Sequence, residues 1–91
     1  PTGFTPNNDG VNDRLQVHGL PGIEVLSYRI WNRWGELLYE DAGFPVNDPS
    51  RGWDGNFRDQ AVNGGVYLWQ IEVRYEDDRT ELLSGQTTLI R

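Results

Sequence analysis

The sequence predicts an all-β fold, an immunoglobulin-like antiparallel β-sandwich of about seven strands. Three observations carry the prediction: apolar and polar residues alternate in several short runs, turn chemistry separates the runs, and no segment shows a helical period. A small closed barrel is the alternative arrangement for the same pattern.

The strongest run spans residues 66–75, with Tyr67, Trp69, Ile71, Val73 and Tyr75 on one face and Gln70, Glu72 and Arg74 on the other. Strict alternation of this kind marks a half-buried strand, because side chains of an extended backbone point to opposite faces in turn. Residues 25–31 repeat the pattern, placing Leu26, Tyr28 and Ile30 together and Ser27 and Arg29 away. Shorter candidates are 14–18, 36–40, 81–84 and 86–90. Asn32-Arg33-Trp34-Gly35 suits a type I turn, Asn at its first position and Gly at its fourth, and would join 25–31 to 36–40 as a hairpin. Glu76-Asp77-Asp78-Arg79 would join the long strand to the last pair. Gly85 interrupts the final run and reads as a bulge or bend. Residues 41–61, with Pro45, Asp48-Pro49, Gly52 and Gly55, read as a long connection carrying one short strand.

At 91 residues the chain is one domain, and such a domain buries only about 60–65% of its unfolded surface. It contains no cysteine, so no disulfide or thiolate site supports it. Four tryptophans are what a small cysteine-free core needs to bury enough area. A net charge of −6 and a pI of 4.5 argue against nucleic acid and anionic membranes, both of which are held by Lys and Arg. No apolar run approaches the ~20 residues of a membrane span. The start at Pro1, without initiator Met or signal peptide, points to a piece of a longer polypeptide.

The segment Phe4-Thr5-Pro6-Asn7-Asn8-Asp9-Gly10-Val11-Asn12-Asp13 gathers short oxygen-bearing side chains around a Pro and a Gly. Two readings fit it. Asn7, Asp9 and Asn12 or Asp13 could hold a Ca²⁺ ion, with a backbone carbonyl near Val11. Alternatively Asn7, Asp9 and Asn12 form Asx-turns on neighbouring amides. An EF-hand is excluded: aligning Gly10 with the loop's glycine puts Thr5 first and Gln16 last, where Asp and a bidentate Glu are required.

Catalysis has little support. His18 is the single histidine, there is no Cys nucleophile, and Ser27, Ser50 and Ser84 lack a nucleophile-elbow context. Two other readings of the tryptophans stand side by side. Trp53-Asp54-Gly55 reads as structural, Asp54 capping the loop, Gly55 supplying a positive φ and Trp53 plugging the end of the sandwich. Trp31, Trp34, Trp53 or Trp69 could instead form a carbohydrate platform. At the 32–35 tip, Trp34 folds back over the sheet with Arg33 stacked on a ring, or the tip is a recognition surface, since Trp and Arg are common interface anchors.

Five motifs in one order resemble a known family. They are the Phe4–Asp13 segment, Ile30-Trp31-Asn32-Arg33-Trp34-Gly35-Glu36-Leu37, Trp53-Asp54-Gly55, Gly65-Val66-Tyr67, and Gly85 through Leu89-Ile90-Arg91. The chain resembles the gliding-motility-associated C-terminal domain, the type B sorting domain of the type IX secretion system, over essentially its whole length. It departs at Asn8, where the family commonly has Gly, at Thr2-Gly3, and in the idiosyncratic stretch 56–60. The resemblance implies a single C-terminal domain, residues 1–91, of a larger secreted or surface protein. No enzyme activity is expected from the residues, and Ca²⁺ is the one candidate cofactor they offer. The domain would be recognised by the outer-membrane translocon, with help from a PorP/SprF-type outer-membrane protein, and its cargo would reach the cell surface or the medium. Asn32, Arg33, Trp34, Gly35 and Arg91 are the candidates for that recognition. A carbohydrate-binding module of a surface enzyme or adhesin is the alternative function.

Overall fold

The computed structural model describes Gly3, Phe4 and residues 14–90. These form eight strands and no helix: β1 (Gly3–Phe4), β2 (Glu24–Trp31), β3 (Leu37–Asp41), β4 (Phe44–Pro45), β5 (Asn56–Phe57), β6 (Gln60–Ala61), β7 (Gly65–Arg74) and β8 (Thr80–Leu89). Six of them make one sheet in the order β1-β8-β7-β2-β3, with β4 also on β2, while β5 and β6 form a separate hairpin. Every pairing is antiparallel except β1 with β8, where Gly3 lies opposite Thr88 and Phe4 opposite Leu89 in parallel.

The β7–β8 ladder is unbroken from Gly65↔Leu89 to Arg74↔Thr80. The two short strands expected at 81–84 and 86–90 are therefore one, and Gly85 is neither a bulge nor a bend. It faces Trp69 across the ladder, and a Cβ there would stand 2.6 Å from the indole Cζ2. The glycine makes room for the ring. The irregularity lies instead in β2, whose register against β7 passes from Val25↔Val73 to Ser27↔Glu72 and leaves Leu26 as an extra residue. A bulge inverts the facing of everything before it. Val25, Tyr28 and Ile30 consequently share the buried face, in place of the expected Leu26, Tyr28 and Ile30.

That face carries Val25, Tyr28, Ile30, Tyr67, Ile71, Val73 and Leu89, all buried. Its cover is thinner than the sheet and mostly irregular: Leu15, Val46 and Trp53 are buried in the same cluster, with Val17, Phe57 and Val62 packed against it. The sandwich thus has unequal layers, a six-stranded sheet and a lid of connections plus the β5–β6 hairpin. Residues 14–18 enter the lid through one bridge, Leu15↔Trp53, rather than as the expected strand. The lid is sewn on by polar contacts. Tyr28 Oη donates to the Leu15 carbonyl at 2.8 Å, the Asn47 amide donates to the Val17 carbonyl at 2.8 Å, and Arg51 Nη1 pairs with Asp41 at 2.9 Å.

Trp53 anchors the lid. It is wholly buried, donates Nε1–H to the Asn56 carbonyl at 2.9 Å, and meets Tyr67 edge-on with centroids 5.0 Å apart. Truncating so large a buried ring costs on the order of 3–5 kcal/mol, a substantial share of a small domain's stability.

Candidate functional site

The β2–β3 hairpin is built by Asn32. Its side-chain oxygen accepts the amides of Trp34 (3.0 Å) and Glu36 (2.9 Å), and its Nδ2 donates to Glu36 Oε1 at 3.0 Å. Its carbonyl accepts the Gly35 amide and its own amide donates to the Glu36 carbonyl, each at 3.0 Å. Gly35 closes the turn at φ 87, a left-handed value that side-chain-bearing residues adopt only with strain. The sequence-predicted type I turn is present, with Gly35 as its left-handed closing residue. A separate register shift between Trp31↔Leu37 and Ile30↔Tyr39 leaves Leu38 as an extra residue in β3.

With Asn32 and Gly35 committed to the backbone, Arg33 and Trp34 are pushed outward. Trp34 does not fold back over the sheet: it is 77% exposed, with the Arg33 guanidinium 4.5 Å from its ring centroid. The reason is geometric, since a turn this tight directs its two central side chains away from the strands they join. An exposed indole on a rigid tip has little freedom left to lose on any contact it makes.

Trp34 stands at the mouth of a cleft of about 420 Å³, where the β2–β3 turn, the β5–β6 hairpin and the start of β7 meet. Leu38, Phe57, Val62, Val66 and Tyr67 line its walls, with Asn32, Glu36 and Asn63 among the polar groups. The β5–β6 hairpin supplies Phe57 through a two-residue turn in which Arg58 (φ 53) and Asp59 (φ 64) are both left-handed. This is the type I′ arrangement. Sequence reasoning passed over this hairpin because its turn is Arg-Asp instead of the Asn-Gly or Asp-Gly that usually announces it. The apolar Phe57 and Val62 flanking the turn were the available signal.

The remaining sequence-predicted residues do not join this cleft. In Trp53-Asp54-Gly55, Trp53 is in the core, Asp54 Oδ1 accepts the Asn56 amide at 3.1 Å, and Gly55 has φ 82. His18 borders a separate cleft of about 190 Å³ with Leu15, Tyr28 and Trp69. Asn7, Asp9, Asn12, Asp13 and Arg91 lie outside the described residues. Among the described residues, no three His, Cys, Asp or Glu side chains converge as a metal cluster, and no helix is long and apolar enough to cross a membrane.

The tryptophans form no common platform. Trp69 faces the core side of β7 over Gly85, Trp31 lies opposite Leu68 on the other face, Trp53 is buried, and Trp34 tops the turn. The carbohydrate-binding alternative finds no support here or in the family match below.

The fold and the site together define a small all-β module with an aromatic, partly polar cleft at one end. The particular class follows from comparison with known families: the CHU_C type IX secretion signal domain matches residues 1–89, so the chain belongs to that family. No curated protein matches it. The domain is a sorting module of the type IX secretion system, attached to a cargo and recognised by that system. Domains of this kind are not catalytic domains, and they mark proteins exported to the cell surface or the extracellular space.

Proposed function

We propose that the translocon reads this domain in its folded form, at the end formed by the β2–β3 turn and its cleft, and that Trp34 is the principal contact. The carrying observation is the pairing of a rigid turn, held by five hydrogen bonds that Asn32 makes, with an indole left 77% exposed at its tip. A residue recruited only for stability would be buried, as Trp53 is. Arg33 extends the same surface, and Asn32 and Gly35 fix its shape. A PorP/SprF-type outer-membrane protein is the partner the family resemblance suggests. Residues 1–91 form a single non-enzymatic domain at the C-terminus of a larger cargo.

Folded-state recognition has a physical basis in this chain. The cleft draws Trp34 from residue 34, Phe57 from residue 57 and Tyr67 from residue 67, which only the sheet and its lid bring together. Fusing residues 1–91 to a reporter in a type IX-competent strain should place the reporter on the cell surface or in the medium, dependent on the translocon. A fusion that is folded and yet stays in the periplasm contradicts the proposal.

A further inference from the structure

Among the described residues, four arginines lie over aromatic rings. Arg33 covers Trp34 at 4.5 Å, Arg58 covers Phe57 at 4.9 Å, Arg51 covers Phe44 at 5.5 Å and Arg79 covers Tyr75 at 5.4 Å. They divide into two kinds. Arg51 is closed by Asp41 at 2.9 Å and Arg79 by Asp77 at 2.7 Å. Arg33 and Arg58 form no ion pair with any described residue. Both open pairs sit at the same cleft: Trp34 and Phe57 are two of its lining rings. Both closed pairs lie away from it, Arg79 at the far end of β7 from the cleft.

Carboxylates are not scarce near the open pairs, which makes their being open informative. Glu36 borders the cleft, but its Oε1 is taken by Asn32 Nδ2 at 3.0 Å. Asp59 follows Arg58 directly and does not pair with it. In a chain of net charge −6 whose basic side chains are all arginine apart from His18, two guanidinium groups at one place form no ion pair with the carboxylates of the described residues. Stacking on a ring orients the guanidinium plane and leaves its outer N–H edge pointing to solvent, the geometry that accepts a carboxylate through two parallel hydrogen bonds.

We propose that the cleft docks a carboxylate-bearing segment of the translocon, one acidic side chain meeting Arg33 and another meeting Arg58, with apolar groups of the same segment seated against Trp34 and Phe57. The inference rests on the preceding reading that this end of the domain is the contact surface. It adds the partner's chemistry and assigns Arg58 and the β5–β6 hairpin to the surface. Arginine in place of lysine suits it, because the planar fork holds a carboxylate in one orientation and so contributes register as well as attraction. The mixed polar and apolar lining of the cleft matches an amphipathic peptide segment better than a bare anion.

The test is binding of the purified domain to detergent-purified type IX translocon, with variants at exposed positions whose folding is checked by circular dichroism. Arg33→Glu and Arg58→Glu should each weaken binding about tenfold, and the double variant about a hundredfold, as charge reversal at a docking surface does. Raising salt from about 50 to 500 mM should weaken the wild type and should instead strengthen the residual binding of the double variant, in which carboxylates face carboxylates and salt screens the repulsion. Arg79→Glu, which changes a closed pair at the other end, should bind as the wild type. If both cleft variants bind normally while Trp34→Ala does not, the acidic-partner inference falls and the contact surface stands. If Trp34→Ala also binds normally, the contact surface falls with it.

Discussion

Gly85 lies directly across the β7–β8 ladder from Trp69, and the indole occupies the space in which a side chain at 85 would begin, 2.6 Å from Cζ2 and 2.9 Å from Cε2. The pair explains two sequence features at once, a glycine inside a ten-residue strand and a tryptophan on a face it could not otherwise share. Gly85→Ala should destabilise the domain by about 1–3 kcal/mol, since the ring must leave its rotamer or the strand must shift. Shortening the ring in Trp69→Leu/Gly85→Ala should recover part of that loss, visible as a non-additive double-mutant cycle in urea unfolding. Additive effects would mean the two residues are not coupled.

The β7–β8 turn copies the β2–β3 turn with one imperfection. In it Tyr75 donates its amide to Arg79 and accepts that of Asp78, as Asn32 does with Glu36 and Gly35. The left-handed position is Gly35 in one hairpin and Asp78, φ 67, in the other. Asp78→Gly should therefore stabilise the domain, by about 0.5–1 kcal/mol, because it relieves a left-handed non-glycine backbone. A lower unfolding midpoint would refute this.

Thr87 is 1% exposed, and its Oγ1 has no hydrogen-bond partner among the described residues. Burying an unpaired hydroxyl costs about 1–3 kcal/mol. Thr87→Val, which puts a methyl in its place, should raise the melting temperature by several degrees for a domain of this size. An unchanged or lower value would show that the hydroxyl is satisfied.

Stability should fall away at both ends of the pH scale. Burial pushes the Tyr28 hydroxyl well above its ordinary value, with Tyr39 adding to the effect. A raised folded-state value means stability that is present below about pH 10 and lost as pH climbs towards the folded value. At the other end, the Arg79 amide holds the Asp77 carboxyl down and the Ser50 hydroxyl holds Asp48 down. Depressed carboxyls contribute above about pH 4 and stop contributing as pH falls through their folded values. Both carboxyls keep contact with solvent, so the acid arm should be shallow and flatten further in Asp77→Asn. Tyr28→Phe should weaken the alkaline arm without abolishing it, because burial also raises Tyr39 and the hydrogen bond to Glu81 also raises Tyr75. It should lower neutral stability by about 1–2 kcal/mol through loss of the bond to the Leu15 carbonyl. Melting curves across pH check each arm separately.

How far the sequence announced these features depends on what each signal encodes. Alternation located β2, β3 and β7 to within a residue or so, because facing is a local property of an extended chain. It failed at Leu26, since a bulge here demands no particular residue type and yet inverts the facing of what precedes it. It split β8 at Gly85, where the cause is a ring sixteen positions away in sequence. The parallel pairing of Gly3–Phe4 with Thr88 and Leu89 joins opposite ends of the chain and leaves no local trace. At the site, Asn32 and Gly35 were legible as turn chemistry, and that chemistry is what drives Trp34 outward. Arg58 was not, because its importance rests on Phe57 facing the same cleft as Trp34, a product of the lid.

On the proposed reading, Trp34, on its Asn32-held turn, is what the secretion machinery touches. The most direct measurement is surface display of a reporter fused to residues 1–91, wild type against Trp34→Ala, in a type IX-competent strain. Trp34 is largely exposed, so its removal should leave the melting temperature within about 2–4 °C of the wild type. Display should nonetheless fall at least tenfold, with the fusion accumulating in the periplasm, as expected for loss of an interface hot spot worth about 2 kcal/mol or more. Undiminished display by a fusion carrying Trp34→Ala would contradict the account.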